Sequence, residues 1–379
     1  MSEPSWPVWQ QPAQPCPQCG QPIAPSASFC EACGATLEPS VELPPEPSTP
    51  SHQSQQTRRL GARHSDVLVC PACGGTIDTD GYCQVCGTKA PSARDHYSDA
   101  PADWVGGVCD RGIKHARNED AMALWAEGRR AVLVVCDGVS TSIDSDEAAT
   151  TAAQTIRQVL IESVRRLSTD AADEALIAEA MVTAAAAANA AVSAQTAQES
   201  PSAASATVAA AVVVDDQVHY ANLGDSRVYF LTAANAQLLS LDDSLAQAFV
   251  AEGMPRAEAE ALPRAHAITK WLGRDAADIV PRTGVHHVTE PGWLLVCSDG
   301  LWNYASEPVM LREQLVAASS AGDDVLGVAQ RLVDWANGQG GRDNVTVALA
   351  RCPAPEQPTR LEPTTSTSLT VVEEHLQHG

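Results

Sequence analysis

Apolar and polar positions divide the chain into three stretches. Residues 1–99 carry almost no periodic apolar pattern and are rich in Pro, Ser and Gln. From about Trp104 to Cys352 apolar runs recur. The β-branched runs at Ala131–Cys136, Thr207–Val214, Val218–Leu223, Arg227–Leu231, Trp293–Cys297 and Val345–Ala350 predict strands. Asp215-Asp216 between two of these runs predicts a hairpin turn. Alanine-rich stretches near Asp146–Arg166, Glu174–Gln198 and Asp323–Trp335 predict helices, and the run Ala184–Ala188 suits a helix that packs closely. Hairpins mixed with long helices predict an α+β layered domain rather than a strict βαβ repeat. The last stretch, PAPEQPTRLEPTTSTSLTVVEEHLQHG, is polar and Pro/Thr-rich and is expected to be disordered.

Composition narrows the function classes. Hydrophobic residues make up 44% of the 379 residues, enough for a packed core, although aromatics are only 4%. The formal charge is −23, from 24 basic and 47 acidic residues, which argues against a nucleic-acid or anionic-membrane surface. No run of uncharged apolar residues reaches the length of a membrane span. The N-terminus MSEPSWPVWQQPAQ lacks the basic and apolar regions of a signal peptide, so a reducing cytoplasm is the expected compartment.

The 12 cysteines then call for chemistry other than disulfides. Eight lie in two islands, CPQCGQPIAPSASFCEACG and CPACGGTIDTDGYCQVCG. In a CxxCG knuckle two thiolates face one ion, and the Gly permits the tight turn around the sulfurs. Four thiolates close a tetrahedral zinc site, which is structural because no position stays open for water. The ligand sets are Cys16, Cys19, Cys30, Cys33 and Cys70, Cys73, Cys83, Cys86. With almost no core of their own, the islands would draw their folding energy from two structural Zn2+. A redox CxxC is the alternative, but no βαβ context surrounds the pairs. Such ribbons dock proteins, bind nucleic acid or act as spacers, and the acidic surroundings point to a protein docking partner.

Carboxylates supply the chemistry of the remainder. AVLVVCDG and WLLVCSDG each end an apolar run with Asp-Gly, at Asp137-Gly138 and Asp299-Gly300. HARNED holds Glu119 and Asp120, ANLGDSR holds Asp225 after a predicted strand, and GGRDNVTV holds Asp343 before one. A single Asp at a strand end is usually a turn former or a cap. Five acidic loops converging on one rim would repel unless hard divalent cations such as Mg2+ or Mn2+ sat between them. A pair of such ions activates water and clamps a phosphoryl group.

The ordered set RNEDA, CDGVS, SATVAA, ANLGDSR, SDGLWN and RDNVTV, over about residues 100–352, resembles the metal-dependent type-2C serine/threonine protein phosphatases. The resemblance implies a four-layer α/β/β/α sandwich of two antiparallel sheets flanked by helices, here preceded by two small zinc ribbons. It implies hydrolysis of phosphoserine and phosphothreonine on protein substrates by a water bridging two divalent cations, without a phosphoenzyme. Asp137 would bridge the metals, with the Gly138 carbonyl as a ligand. Asp299 and Asp343 would complete the first metal, and Glu119 would serve the second. Asp120 would support bound water, Asp225 would help hold a weak third metal, and Asn344 would orient Asp343. The expected division is a disordered N-terminus (1–15), first ribbon (16–37), flexible linker (38–69), second ribbon (70–90), linker (91–101), phosphatase-like domain (102–352) and disordered tail (353–379).

Three departures from the family pattern stand out. Its phosphate-gripping arginine is replaced by His115, so His115 or its basic neighbours Lys114, Arg117 and Arg111 would bind the phosphate; the bland alternative is that His115 only fills space or orients water. Val139 cannot act as a general acid, which would leave leaving-group protonation to a metal-bound water. Asn303 stands where an Asp is common, which weakens the third site. The segment between Leu241 and Val285 matches the family's flap. A competing reading is a phosphatase fold with a weakened site, serving with its ribbons as a docking scaffold; the manganese-dependent hydrolysis of a phosphate ester separates the two.

Overall fold

The computed structural model describes residues 92–142, 144–167, 173–195, 202–319 and 324–353, most of 69–90, and residues 14–15 and 22–23. The four cysteines of the first island, residues 24–68 and the tail from residue 354 lie outside the described residues. β1 (Gln14–Pro15) and β2 (Pro22–Ile23) pair antiparallel. The elements that follow are β3 (His96–Ala102), β4 (Val105–Asp110), β5 (Ala121–Glu127), β6 (Arg130–Cys136), α1 (Ser145–Arg166), α2 (Glu174–Gln195), β7 (Ser205–Ala206), β8 (Val208–Val214), β9 (Gln217–Leu223), β10 (Arg227–Thr232) and β11 (Ala236–Leu238). Then come α3 (Leu245–Ala251), α4 (Arg256–Glu260), β12 (Leu272–Gly273), β13 (Arg282–His287), β14 (Gly292–Cys297), α5 (Asp299–Trp302), α6 (Pro308–Ala318), α7 (Val325–Gly338) and β15 (Val345–Cys352).

Two antiparallel sheets stack face to face, in the orders β11-β10-β14-β15-β4-β3 and β13-β9-β8-β6-β5. Their facing sides share one core, in which Val135, Ala211 and Val213 meet Val228, Val296 and Ala348. The long helices α1 and α2 cover the outer side of the five-stranded sheet, and α5, α6 and α7 cover the other. This is the four-layer α/β/β/α sandwich that the resemblance implied. Central strands are buried on both faces and read as unbroken apolar runs; β8, VAAAVVV, is buried at every position. Helix α1 buries Ala148, Ala149, Ala152, Ala153, Ile156 and Leu160, the spacing of one helical face, and its small alanines allow close approach to the sheet. Its acidic first turn and basic last turn complement the helix dipole.

Where structure and sequence pattern differ, the reason is local. Residues 96–101, expected as linker, lie in β3, paired with β4. The sequence of β4, VGGVCD, hides its strand character behind two glycines. A Cβ on Gly107 would lie 2.3 Å from Met122 Sδ and 2.7 Å from the Val347 carbonyl oxygen, so the sheets close only over a glycine. Strand β13 sits at a sheet edge with no alternation to betray it. By length and hydropathy α2 could cross a membrane. It buries Ile177, Ala184, Ala188 and Val192 in the core it shares with α1 and the five-stranded sheet, as an outer layer of the sandwich.

The second cysteine island is assembled. The four sulfurs of Cys70, Cys73, Cys83 and Cys86 all lie within 4.8 Å of one another. Cys70 and Cys86 are 3.6 Å apart and Cys73 and Cys83 are 3.5 Å apart. A tetrahedral Zn–S site needs about 3.8 Å between sulfurs, so the thiol set fits that ion. The predicted knuckle glycines Gly74 and Gly87 adopt φ of +72° and +71°, the left-handed turn that a side chain would strain.

Candidate active site at one end of the sandwich

Strand ends deliver the carboxylates. β6 runs into Asp137, β14 runs into Ser298 and Asp299, and Asp343 leads into β15. Asp225 lies in the turn between β9 and β10, and Glu119 and Asp120 precede β5. Because β6, β14 and β15 lie in stacked sheets, all these groups reach the same end of the sandwich. Asp137 is fixed by its amide, which donates to Thr207 Oγ1 at 3.1 Å, and by its carbonyl, which accepts from Thr207 N–H at 2.7 Å. A Cβ on Gly138 would lie 2.4 Å from the Ser145 carbonyl oxygen and 2.7 Å from that of Glu119, so no other residue could pass there.

Burial and mutual repulsion dominate the electrostatics. Asp137 and Asp299 are pushed well above the usual carboxylate range, first by burial and then by neighbouring carboxylates. For Asp137 those neighbours are Asp120, Asp299, Asp343 and Asp225. Burial also raises Asp225 to about 7, with Asp242 adding to it and Arg227 opposing it. Asp120, 1% exposed, is likewise raised to about 7 by burial although Ser298 Oγ and Thr346 Oγ1 each donate to its Oδ2 at 2.7 Å. Glu119 goes the other way. Burial would raise it, but donors from His115, Ser145 and Arg117 hold it down at about 2.

The donor set fits hard divalent cations. Asp299 Oδ1 is buried without a hydrogen-bond partner while Oδ2 accepts from Asn303 Nδ2 at 2.9 Å. An orphaned carboxylate oxygen in a ring of like charges is the environment a cation relieves. Among the described residues, however, only the four cysteines bring three or more ligand atoms within 4.8 Å of one another; the carboxylates stand wider apart.

The basic loop sits directly against this end. His115 Nε2 lies 3.3 Å from Asp343 Oδ1 and Nδ1 lies 3.8 Å from Glu119 Oε2, so both ring nitrogens face carboxylates. Its pKa is raised, first by the Glu119 contact. Arg117 is engaged by Glu119 at 2.7 Å and by Asp146 at 3.7 Å. Lys114 is exposed, with its amide on the Gly341 carbonyl at 3.0 Å. Asn344 ties the loop down: its Nδ2 donates to the Arg111 carbonyl at 2.7 Å and the Arg117 carbonyl at 3.1 Å, and its Oδ1 accepts from Glu119 N–H at 2.7 Å.

Sequence reasoning missed the residue that links this end to the flap. Arg227 is fully buried and its Nη2 lies 2.6 Å from Asp242 Oδ2 and 3.5 Å from Glu260 Oε1 of α4. Its guanidinium stacks 3.5 Å from the Trp302 ring centre, and Trp302 Nε1 donates to the Asp225 carbonyl at 2.9 Å. Burial disfavours its charge, but Tyr229 and Asp242 keep it protonated. The flap has a small core of its own, Ala246, Ala259 and Ala265. Only the Arg of ANLGDSR was visible beforehand; its partners arrive 15 and 33 residues later.

Two stacked antiparallel sheets with acidic loops at one end and helices outside are the architecture of the 2C-type protein phosphatases. Residues 112–336, more than half of the chain, match the family described as Protein phosphatase 2C, and the chain belongs to that family. Residues 16–95 match the double zinc ribbon family. A putative protein phosphatase 2C-type from Streptococcus pyogenes is 34% identical over 142 residues, covering 37% of this chain and 55% of the relative. The serine/threonine protein phosphatase PstP of Mycobacterium tuberculosis is 27% identical over 242 residues, covering 64% of this chain and 43% of the relative. The chain thus spans about half the length of the curated relatives it matches. Among solved structures, the S. agalactiae serine/threonine phosphatase aligns with a TM-score of 0.53 at 26% identity, covering 67% of this chain and 98% of that one.

Proposed function

We propose that this chain is a protein-serine/threonine phosphatase that hydrolyses phosphate monoesters on protein substrates with the help of two Mg2+ or Mn2+ ions. The observation that carries the reading is the ring of carboxylates at one end, with Asp137 and Asp299 raised first by burial and then by their neighbours, and Asp299 Oδ1 left unsatisfied. Bound cations there would lower the pKa of a water and neutralise phosphate charge. Asp137, with the Gly138 carbonyl, would hold both ions in this reading. Asp299 and Asp343 would hold one of them and Glu119 the other, while Asp225 would help hold a weaker third ion. Asp120, gripped by Ser298 and Thr346, keeps its carboxylate in place for water.

His115 and Arg117 touch carboxylates of the acidic end, Lys114 lies in the same loop, and these three meet the substrate phosphate in this reading. His115 also spaces Glu119 from Asp343, since it contacts both. The ribbons hold structural zinc through Cys70, Cys73, Cys83 and Cys86, and through Cys16, Cys19, Cys30 and Cys33 in the first island. They dock a protein partner in this reading, and a cytoplasmic location accords with the cysteine usage.

A second reading is a weakly catalytic scaffold. It is favoured by one observation: the position where the family carries a guanidinium holds His115, whose ring nitrogens both face carboxylates. Hydrolysis of p-nitrophenyl phosphate and of a phosphothreonine peptide, with and without added Mn2+, decides between them. Metal-dependent turnover abolished by Asp137→Asn supports the phosphatase. Absence of turnover at saturating metal leaves only the scaffold.

A further inference from the structure

A cavity of about 660 Å³ opens at the end of the sandwich opposite the carboxylates. β14 and β15 both connect the two ends: β14 starts in the cavity at Gly292 and finishes next to Asp299, and β15 runs from Asp343 back to Cys352. At about 3.3 Å per residue, the cavity and the acidic end are roughly 20 Å apart. The volume falls in the range of small-molecule sites, about 300–1,000 Å³.

Strand register builds the floor. Leu231 on β10 pairs with Trp293 on β14, Trp293 pairs with Arg351 on β15, and the Arg351 amide donates to the Trp104 carbonyl at 2.8 Å. These four line the cavity in a row, and Leu315 and Val316 of α6 form an apolar wall. The charge of the rim is the reverse of the chain's. Three lining residues, Arg129, Arg312 and Arg351, are basic and only Asp215 is acidic, in a protein with formal charge −23. The Arg351 guanidinium lies 4.8 Å over the Trp293 ring, which turns a cation toward an aromatic floor. Arg129 meets Asp215 at 3.7 Å with both side chains well exposed, a pairing of small energy that a buried anion can displace.

We propose that this cavity binds an amphipathic carboxylate: an apolar body seated on Trp104, Trp293 and Val316, with its acid group at Arg312 and Arg351. The acidic active-site end would reject such a ligand; this end has the apolar walls and the guanidiniums to hold it. The site stands apart from the phosphatase reading, because occupancy is measured without any turnover.

Equilibrium dialysis of the full-length protein against labelled dodecanoate, below its micelle concentration, tests it. Dodecan-1-ol and dodecyltrimethylammonium serve as neutral and cationic counterparts. Saturable one-to-one binding of dodecanoate, about tenfold or more tighter than either counterpart, is expected. The same tenfold loss is expected in Arg312→Gln/Arg351→Gln and in Val316→Glu, which places a negative charge at an exposed wall position and so spares the fold. Equal binding of the alcohol overturns the proposal, as does unchanged binding by Val316→Glu in protein of wild-type Tm. Failure of the full chain to bind overturns it too, whether residues 354–379 or a second copy fills the cavity instead.

Discussion

The zinc ribbon and the acidic end solve the problem of gathering ligands in opposite ways. The ribbon's four sulfurs come from a span of 17 residues, Cys70 to Cys86, and stand within 4.8 Å of one another. Tight turns at Gly74 and Gly87, with Gly74 N–H on the Cys70 carbonyl at 2.8 Å and Gly87 N–H on the Cys83 carbonyl at 2.9 Å, are enough to place them. Thiols are neutral until they meet a metal, so nothing opposes their gathering. The acidic end draws on Glu119, Asp137, Asp225, Asp299 and Asp343, more than 200 residues apart at the extremes, and its carboxylates repel. Neutral donors hold it at Thr207, Ser298, Thr346 and Asn344, and cations oppose the repulsion at two places, Arg117 on Glu119 and Arg227 beside Asp225. A local motif assembles itself, whereas a dispersed one depends on the stability of the whole sandwich and stores repulsion that a cation releases.

The largest break of that contrast is Asp137→Asn. Turnover with Mn2+ is expected to fall by about 1,000-fold, near 4 kcal/mol of barrier. In metal-free protein the same change should raise Tm, because it removes a buried charge from among like charges. A lower metal-free Tm would contradict the account of stored repulsion.

Next is Arg227→Met, which leaves Asp242 buried without its cation. A loss of about 3–5 kcal/mol is expected in denaturant unfolding of the whole protein, because one partner of a buried pair is stranded. If Asp242→Asn is added to Arg227→Met, part of that stability should return; no recovery in the double variant would mean that the pair is not what the Arg supports.

Cys73→Ser tests the ribbon side. Zinc content should drop from two ions per chain to one, measured by colorimetric release, while turnover with Mn2+ and the main unfolding transition stay within error. A loss of turnover would show that the two regions are not independent.

The smallest effect is Asn303→Asp, which exchanges an Asp299 donor for a charge. The Mn2+ concentration for half-maximal turnover should fall by about threefold, worth under 1 kcal/mol. A rise instead would show that the donor to Asp299 matters more than the added charge.

Much of the scaffold was legible in the sequence. Unbroken apolar runs at Ala131–Cys136 and Val345–Ala350 marked central strands, and Asp-Gly after two of the runs marked where carboxylates would emerge. β4 and β13 were not legible: one is packed through glycines and the other lies on an edge without alternation. The Ser298 and Thr346 donors to Asp120 were equally hidden, since a hydroxyl in a strand carries no sign of its partner.

By itself the sequence determined what local chemistry can determine: which runs are apolar enough to be buried, where the chain turns, and which four cysteines sit close enough along the backbone to share an ion. Only the tertiary structure decided the rest. It made Arg227 the tie between Asp242, α4 and Trp302, set His115 between Glu119 and Asp343, and opened an arginine-rimmed cavity at the far end. The physical reason is separation along the chain. Contacts between residues tens to hundreds of positions apart depend on sheet register and layer packing, which no short window of sequence encodes.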